Sequence, residues 1–176
     1  MIFGKEVSEK KMLSGYRKAA PHHILKYKKR NGIWTGFPKT ITWQHAYLSR
    51  ADFESVSLVR NEINWIALGG YFREPLAAAR WVNDHLEHNL VMHDYNLRMK
   101  RGKFPKFPCL LVGPPNPCPE ELVVLDGNHR IVAALMGNVD ATQLPILVGT
   151  SPKIDKWAFY RDGKKIRHTL NSVGWQ

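Results

Sequence analysis

The clearest periodic signal in the chain starts at Pro75, where Leu76, Ala79, Val82 and Leu86 recur on one face and proline takes a first-turn position it tolerates. The spacing predicts a helix from Pro75 to near Asn89. A shorter helix is expected from Ser49, with Ser49 or Asp52 as N-cap and Phe53, Val56 and Val59 on one face. Gly69-Gly70 ends the stretch that runs through Trp65 and Leu68. Three apolar runs read as buried strands: Cys109–Val112, stopped by Gly113-Pro114; Leu122–Leu125; and Leu144–Val148. Between the last two, Gly127–Arg130 leads into a helix through Met136, with Gly137 and Asn138 as stop residues. The C-terminal region predicts a hairpin of Trp157–Tyr160 and Lys164–His168, turned at Asp162-Gly163. Residues 1–40 show no clean period and are broken by Gly15, Pro21, Gly32, Gly36 and Pro38, so they read as an irregular or partly helical arm. No internal repeat is present.

The chain has 176 residues, 44% hydrophobic and 11% aromatic, which suits one globular domain with a real core. No stretch reaches the roughly 20 consecutive apolar residues of a membrane span, so no membrane partner is expected. The start, Met1-Ile-Phe-Gly-Lys-Glu6, lacks the layout of a secretory signal, and the expected location is the cytoplasm, or the host cytoplasm if the chain is phage-encoded. Cys109 and Cys118 are expected as free, reduced thiols, in keeping with that compartment.

Charge divides the chain. Of a net +11, residues 1–50 carry +9, with eleven Lys and Arg against Glu6 and Glu9. Tyr16, Tyr27, Trp34 and Phe37 interleave with these cations, so the arm, above all Lys26, Lys28, Lys29 and Arg30, is a candidate nucleic-acid contact. A solvated basic surface is the plainer alternative. A second basic stretch, Arg98–Lys106, holds Arg98, Lys100, Arg101 and Lys103 and reads as a loop because Gly102 and Pro105 exclude regular structure. DNA is the expected partner.

Candidate chemistry gathers at Asp126-Gly-Asn-His-Arg130, between a strand and a helix. Gly127 permits a sharp turn close to a ligand, and the first amides of the helix, with the helix dipole, favour an anion. Arg130 adds a fork suited to phosphate oxygens, His129 can donate or carry a proton, and Asp126 can bind magnesium or hold a substrate hydroxyl. The competing reading is structural: Asp126 caps the helix and Arg130 makes a surface ion pair. His85, Glu87, His88 and His93 read as solvent-facing polar residues rather than a metal site, and His22-His23 as a loop pair or phosphate contact.

The segment Leu125-Asp-Gly-Asn-His-Arg-Ile-Val-Ala-Ala-Leu-Met-Gly137, followed by Leu144–Val148, resembles the phosphate-binding segment of the ParB and sulfiredoxin superfamily. That group includes nucleotide-hydrolysing partition proteins, sulfiredoxin and free serine kinases with an Asp-Gly-x-His-Arg segment, and the similarity spans residues 70–150. Sulfiredoxin needs a cysteine where this chain has Asn128, and partition proteins carry a further Arg where it has Val132. The serine-kinase form remains nearest. It implies a nucleotide site at Gly127, Asn128, His129 and Arg130, and a catalytic Glu ahead of the preceding helix, the place of Glu74, with Glu62 in reserve; the competing reading of Glu74 is a favourable acid at a helix N-terminus.

The resulting expectation is an α+β, ParB/sulfiredoxin-like domain over residues 49–176, with a small mixed sheet, flanking helices and a basic N-terminal extension over 1–48. Its expected activity is transfer of phosphate from ATP, with Mg2+, to a hydroxyl on nucleic acid such as a hydroxymethylated DNA base. Glu74, Asp126 and His129 are the expected catalytic residues, and Asp126 the metal ligand. A DNA-binding module or nuclease on the same fold, or a nucleotide-hydrolysing DNA clamp, are the alternatives.

Overall fold

Every residue of Cys109–Gly113 is buried, as a strand covered on both faces requires. The computed structural model describes residues 1–19, 36–58, 74–85, 90–137, 139–157 and 160. In chain order these form β1 (Ile2–Val7), α1 (Glu9–Ala19), β2 (Thr42–Tyr47), α2 (Arg50–Ser55), α3 (Pro75–Asp84), α4 (Leu90–Lys100), β3 (Cys109–Gly113), β4 (Val123–Asp126), α5 (Asn128–Leu135) and β5 (Ile146–Thr150). Short 3-10 turns lie at Pro119–Glu121, Ala141–Gln143 and Ile154–Lys156.

The strands make one mixed five-stranded sheet in the order β1-β2-β5-β3-β4. β3 runs parallel to β5, with Cys109 opposite Ile146 and Gly113 opposite Thr150. The other neighbouring pairs are antiparallel. Side chains alternate across the central strands. Cys109, Leu111, Val124, Ile146 and Val148 face a core shared with α2, α3, α4 and α5. Leu110, Val112, Val123 and Leu147 face the opposite core, with Met12 of α1, Trp43, Ile154 and Trp157. The protein is therefore a mixed α+β domain with helices on both faces of its sheet. Trp43 stands opposite Gly149 in the β2–β5 ladder. A Cβ at Gly149 would lie 2.8 Å from the Trp43 ring, so the indole occupies the space a side chain would need.

Local signals explain several elements. Ser49 caps α2 as half of a capping box with Asp52, satisfying two otherwise orphaned amides. Phe53 points from that helix into the core with no exposed surface, a burial worth about 1.5–3 kcal/mol. Pro75 opens α3, which buries Ala78, Ala79 and Val82. The C-terminal carbonyls of α5 are satisfied from outside the helix. Arg50 donates to Leu135 O and Gly137 O, both at 2.9 Å, and Asn83 to Met136 O at 3.1 Å.

The structure corrects several expectations. Part of the supposed irregular arm is regular: β1 pairs with β2 at the sheet edge, and α1 follows it. β2 pairs with β5, so two strands come from the segment assigned to an N-terminal extension. The α3 helix ends at Asp84 rather than near Asn89. Arg98 and Lys100 belong to the last turn of α4, not to a loop. That helix escapes a hydrophobic reading because it buries Asn96 with Met92 and Met99 while Leu90 and Val91 are exposed. Strands β4 and β5 extend to Asp126 and Thr150, beyond the apolar runs. Trp157 is the C-cap of a 3-10 turn rather than the start of a strand, and its carbonyl accepts a hydrogen bond from the Tyr160 amide, while residues 158 and 159 lie outside the described residues. Val59, Glu62, Trp65 and Gly69-Gly70, Leu86–Asn89, and the Lys164–His168 half of the hairpin lie outside the described residues. Among those described, no helix is long and apolar enough to cross a membrane.

Candidate functional site

Gly127 takes φ 105°, a left-handed conformation that closes the turn between β4 and α5. Its space is restricted as well. A Cβ there would lie 2.6 Å from Cys109 Sγ and 2.8 Å from Cys109 Cβ. The turn thus sits directly on the first residue of β3, and only glycine meets both demands. Gly127 O accepts from the Arg130 and Ile131 amides, each at 3.0 Å, which starts α5 at once. Asn128 is buried and His129 partly buried on the first turn of that helix.

Arg130 turns inward. Its Nη1 donates to Phe107 O at 2.7 Å and its Nη2 to Asp126 Oδ2 at 2.8 Å. The guanidinium carbon lies 4.1 Å from the centroid of the Phe107 ring, within cation–π range. With Arg130 only 3% exposed, this ion pair is an internal strut joining β4, α5 and the chain before β3. The structural alternative raised from sequence therefore holds in a changed form. The ion pair exists but is buried, and the N-cap position of α5 is held by Gly127, which has no side chain.

Burial pushes the Cys109 thiol up to about 11, with the Arg130 charge opposing and the Asp126 charge adding to the rise. Cys109 therefore stays protonated near neutrality and is no nucleophile, although it lies against the turn. Among the described residues, no group of three or more His, Cys, Asp or Glu side chains gathers to hold a metal ion. Asp126 offers one carboxylate, and the cationic Arg130 already holds one of its oxygens.

Beside the turn runs a groove of about 550 Å³ between α4 and the following loop, with Arg98, Arg101 and Lys103 on its walls. Tyr95, Phe104 and Phe107 also line it. Phe107 is the link, because the residue that stacks on Arg130 is also a wall of the groove. Arg98 is offset by Asp94, one turn back on α4, through contacts of 3.0 and 2.9 Å. Arg101 and Lys103 are exposed and make no ion pair among the described residues.

The structure gathers Arg98, Arg101 and Lys103 on one groove, whose wall Phe107 stacks on Arg130 of the turn. It separates Lys100, which lies at the other end of α5, where a Cβ on Gly137 would meet its Nζ at 3.1 Å. Glu74 is the exposed N-cap of α3 and makes no capping hydrogen bond. The bond from Asn83 to Met136 joins α3 to α5 at their C-terminal ends. Lys26, Lys28, Lys29 and Arg30 lie outside the described residues, as do Glu87 and His88. His85 stacks on Trp81 at 4.2 Å and donates from Nδ1 to Trp81 O. Sequence reasoning missed Tyr95, Phe104, Phe107 and Cys109 as parts of this region. The signal was present in Phe104-Pro-Lys-Phe107, aromatic residues set among cations.

Comparison with protein-family models, curated proteins and solved structures finds no significant match for this chain.

Proposed function

We propose that the chain is a ParB/sulfiredoxin-like phosphotransferase that moves the terminal phosphate of a nucleoside triphosphate, ATP in the first instance, to a hydroxyl carried by nucleic acid. The observation that supports it is that Phe107 belongs to two anion-favouring features: it stacks on Arg130 of the left-handed turn into the α5 N-terminus, and it lines the groove bearing Arg101 and Lys103. In this reading the triphosphate meets the turn at Gly127–His129 while the acceptor strand lies along the groove. The acceptor oxygen bonds to the terminal phosphorus, the bond from that phosphorus to the bridging oxygen breaks, and nucleoside diphosphate leaves. The acceptor's proton passes to a carboxylate, assigned to Glu74. Arg130 acts by holding the turn and the Asp126 carboxylate, since its fork is committed to Phe107 O and Asp126. His129 is the partly exposed side chain of the turn suited to contact the phosphates.

A second reading, a nucleic-acid-binding module that consumes no nucleotide, is favoured by that same commitment of Arg130. One experiment separates the two. DNA or RNA incubated with the protein, magnesium and gamma-labelled ATP gains label under the first reading and none under the second. Glu74→Ala is expected to keep nucleotide binding and lower turnover at least ~100-fold, while His129→Ala weakens binding. Absence of label on every DNA, RNA and small hydroxyl acceptor sinks the phosphotransferase reading. Equal loss of binding in both variants removes the separate role of Glu74.

A further inference from the structure

The groove beside the turn differs from a plain basic surface in what lies between its cations. Tyr95 comes from α4, and Phe104 and Phe107 from the loop that follows, and each is partly exposed. Each is held by a core: Tyr95 and Phe104 pack against the helical core and Phe107 against the opposite one. A ring packed against a core and still partly exposed is preorganised for stacking, because its ordering cost falls on folding rather than on binding. Arg101 and Lys103 are exposed beside these rings.

Duplex nucleic acid presents phosphates and groove edges to a protein and keeps its base faces stacked inside. Aromatic faces interleaved with cations suit unpaired bases, each stacked base being worth roughly 1–3 kcal/mol. The volume of about 550 Å³ lies in the range of ~300–1,000 Å³ typical of sites for small organic ligands, room for a nucleotide or two. We infer that this groove binds single-stranded nucleic acid, with bases stacked on Tyr95, Phe104 and Phe107 and the backbone following Arg101 and Lys103. The inference deepens the proposed function, on which its acceptor assignment rests, by making the acceptor strand single-stranded at the site.

The test is fluorescence anisotropy with a labelled 12-nucleotide single strand and the same sequence as a duplex, over a salt series. The single strand should bind at least tenfold more tightly. Phe104→Leu should weaken its binding about tenfold with the salt slope unchanged, as expected when one stacked base is lost. Arg101→Ala with Lys103→Ala should instead lower the slope of log affinity against log salt by about 1.4, near 0.7 for each phosphate contact. On the unaltered protein, a strand carrying 5-iodouridine should photocrosslink to Tyr95, Phe104 or Phe107, which keeps the test valid if Phe104→Leu fails to fold. Equal or tighter duplex binding, or crosslinks that map elsewhere, overturns the inference. Single-strand binding with these signatures but no phosphate transfer overturns the phosphotransferase reading and leaves this site standing. Label transfer to intact duplex without preference for single strands does the reverse.

Discussion

Replacing Gly127 by alanine tests whether the turn is set by space and backbone conformation together. An L-residue at φ 105° carries a left-handed penalty of ~1–2 kcal/mol. The new methyl would stand 2.6 Å from Cys109 Sγ and 2.8 Å from Cys109 Cβ, and moving a β-strand residue to relieve such a contact costs ~1–3 kcal/mol. Alanine also narrows the unfolded ensemble, which returns ~0.4–1 kcal/mol. The net expectation is a loss of about 1–5 kcal/mol, centred on ~3, read as a shift of the urea midpoint at constant slope. Gly102→Ala is the internal control: Gly102 also has positive φ, 71°, but a Cβ there meets nothing within 4 Å. It should lose only the conformational part, about 1 kcal/mol or less. If Gly127→Ala costs no more than Gly102→Ala, the close packing of the turn on Cys109 is not what holds it, and the reasoning fails.

Arg130→Met should destabilise the protein by about 3 kcal/mol, because it leaves Asp126 and Phe107 O without the buried guanidinium, whereas Asp126→Asn, which keeps an accepting oxygen, should cost about half as much. A double-mutant cycle with no coupling between the two would refute the strut. Cys109 gives a pH signature: burial raises its thiol from 9.0 to about 11, so its stabilising contribution is complete below pH 9 and is lost as pH rises from 9 to 11, a fall of about 2–3 kcal/mol. Tyr160, raised to about 12 chiefly by burial, adds to the loss above pH 10, so the diagnostic is a shallower decline between 9 and 11 in Cys109→Ala. In the native protein a maleimide should label exposed Cys118 and spare Cys109, and rapid labelling of both would contradict this burial. Arg50→Ala should cost about 1–2 kcal/mol through its bonds to Leu135 O and Gly137 O, and a change below about 0.3 kcal/mol in thermal or urea unfolding would show the α5 end satisfied by other means.

The sequence by itself determined what is local. The apolar runs at Cys109, Leu122 and Leu144 are strands within two residues of their predicted ends, because a buried strand needs only continuous apolar side chains between stop residues. The Ser49 cap, the proline start of α3 and the turn at Gly127 were legible because their causes lie within four residues of chain. Tertiary structure decided the rest. β2 forms because β5, about 100 residues further on, supplies its ladder, and β1 pairs in turn with β2, although the alternation of Trp43, His45 and Tyr47 was there to be seen. α4 was hidden because its buried polar residue, Asn96, is satisfied by Ala133 O at 2.6 Å on another helix, which reverses the usual pattern. Arg130 shows the limit most sharply. Its charge and position were readable, but its direction was set by Phe107, a carbonyl and a ring 23 residues earlier, which turned a candidate phosphate ligand into a buried support. A side chain with five donors goes where partners are, and only the folded chain says where those are.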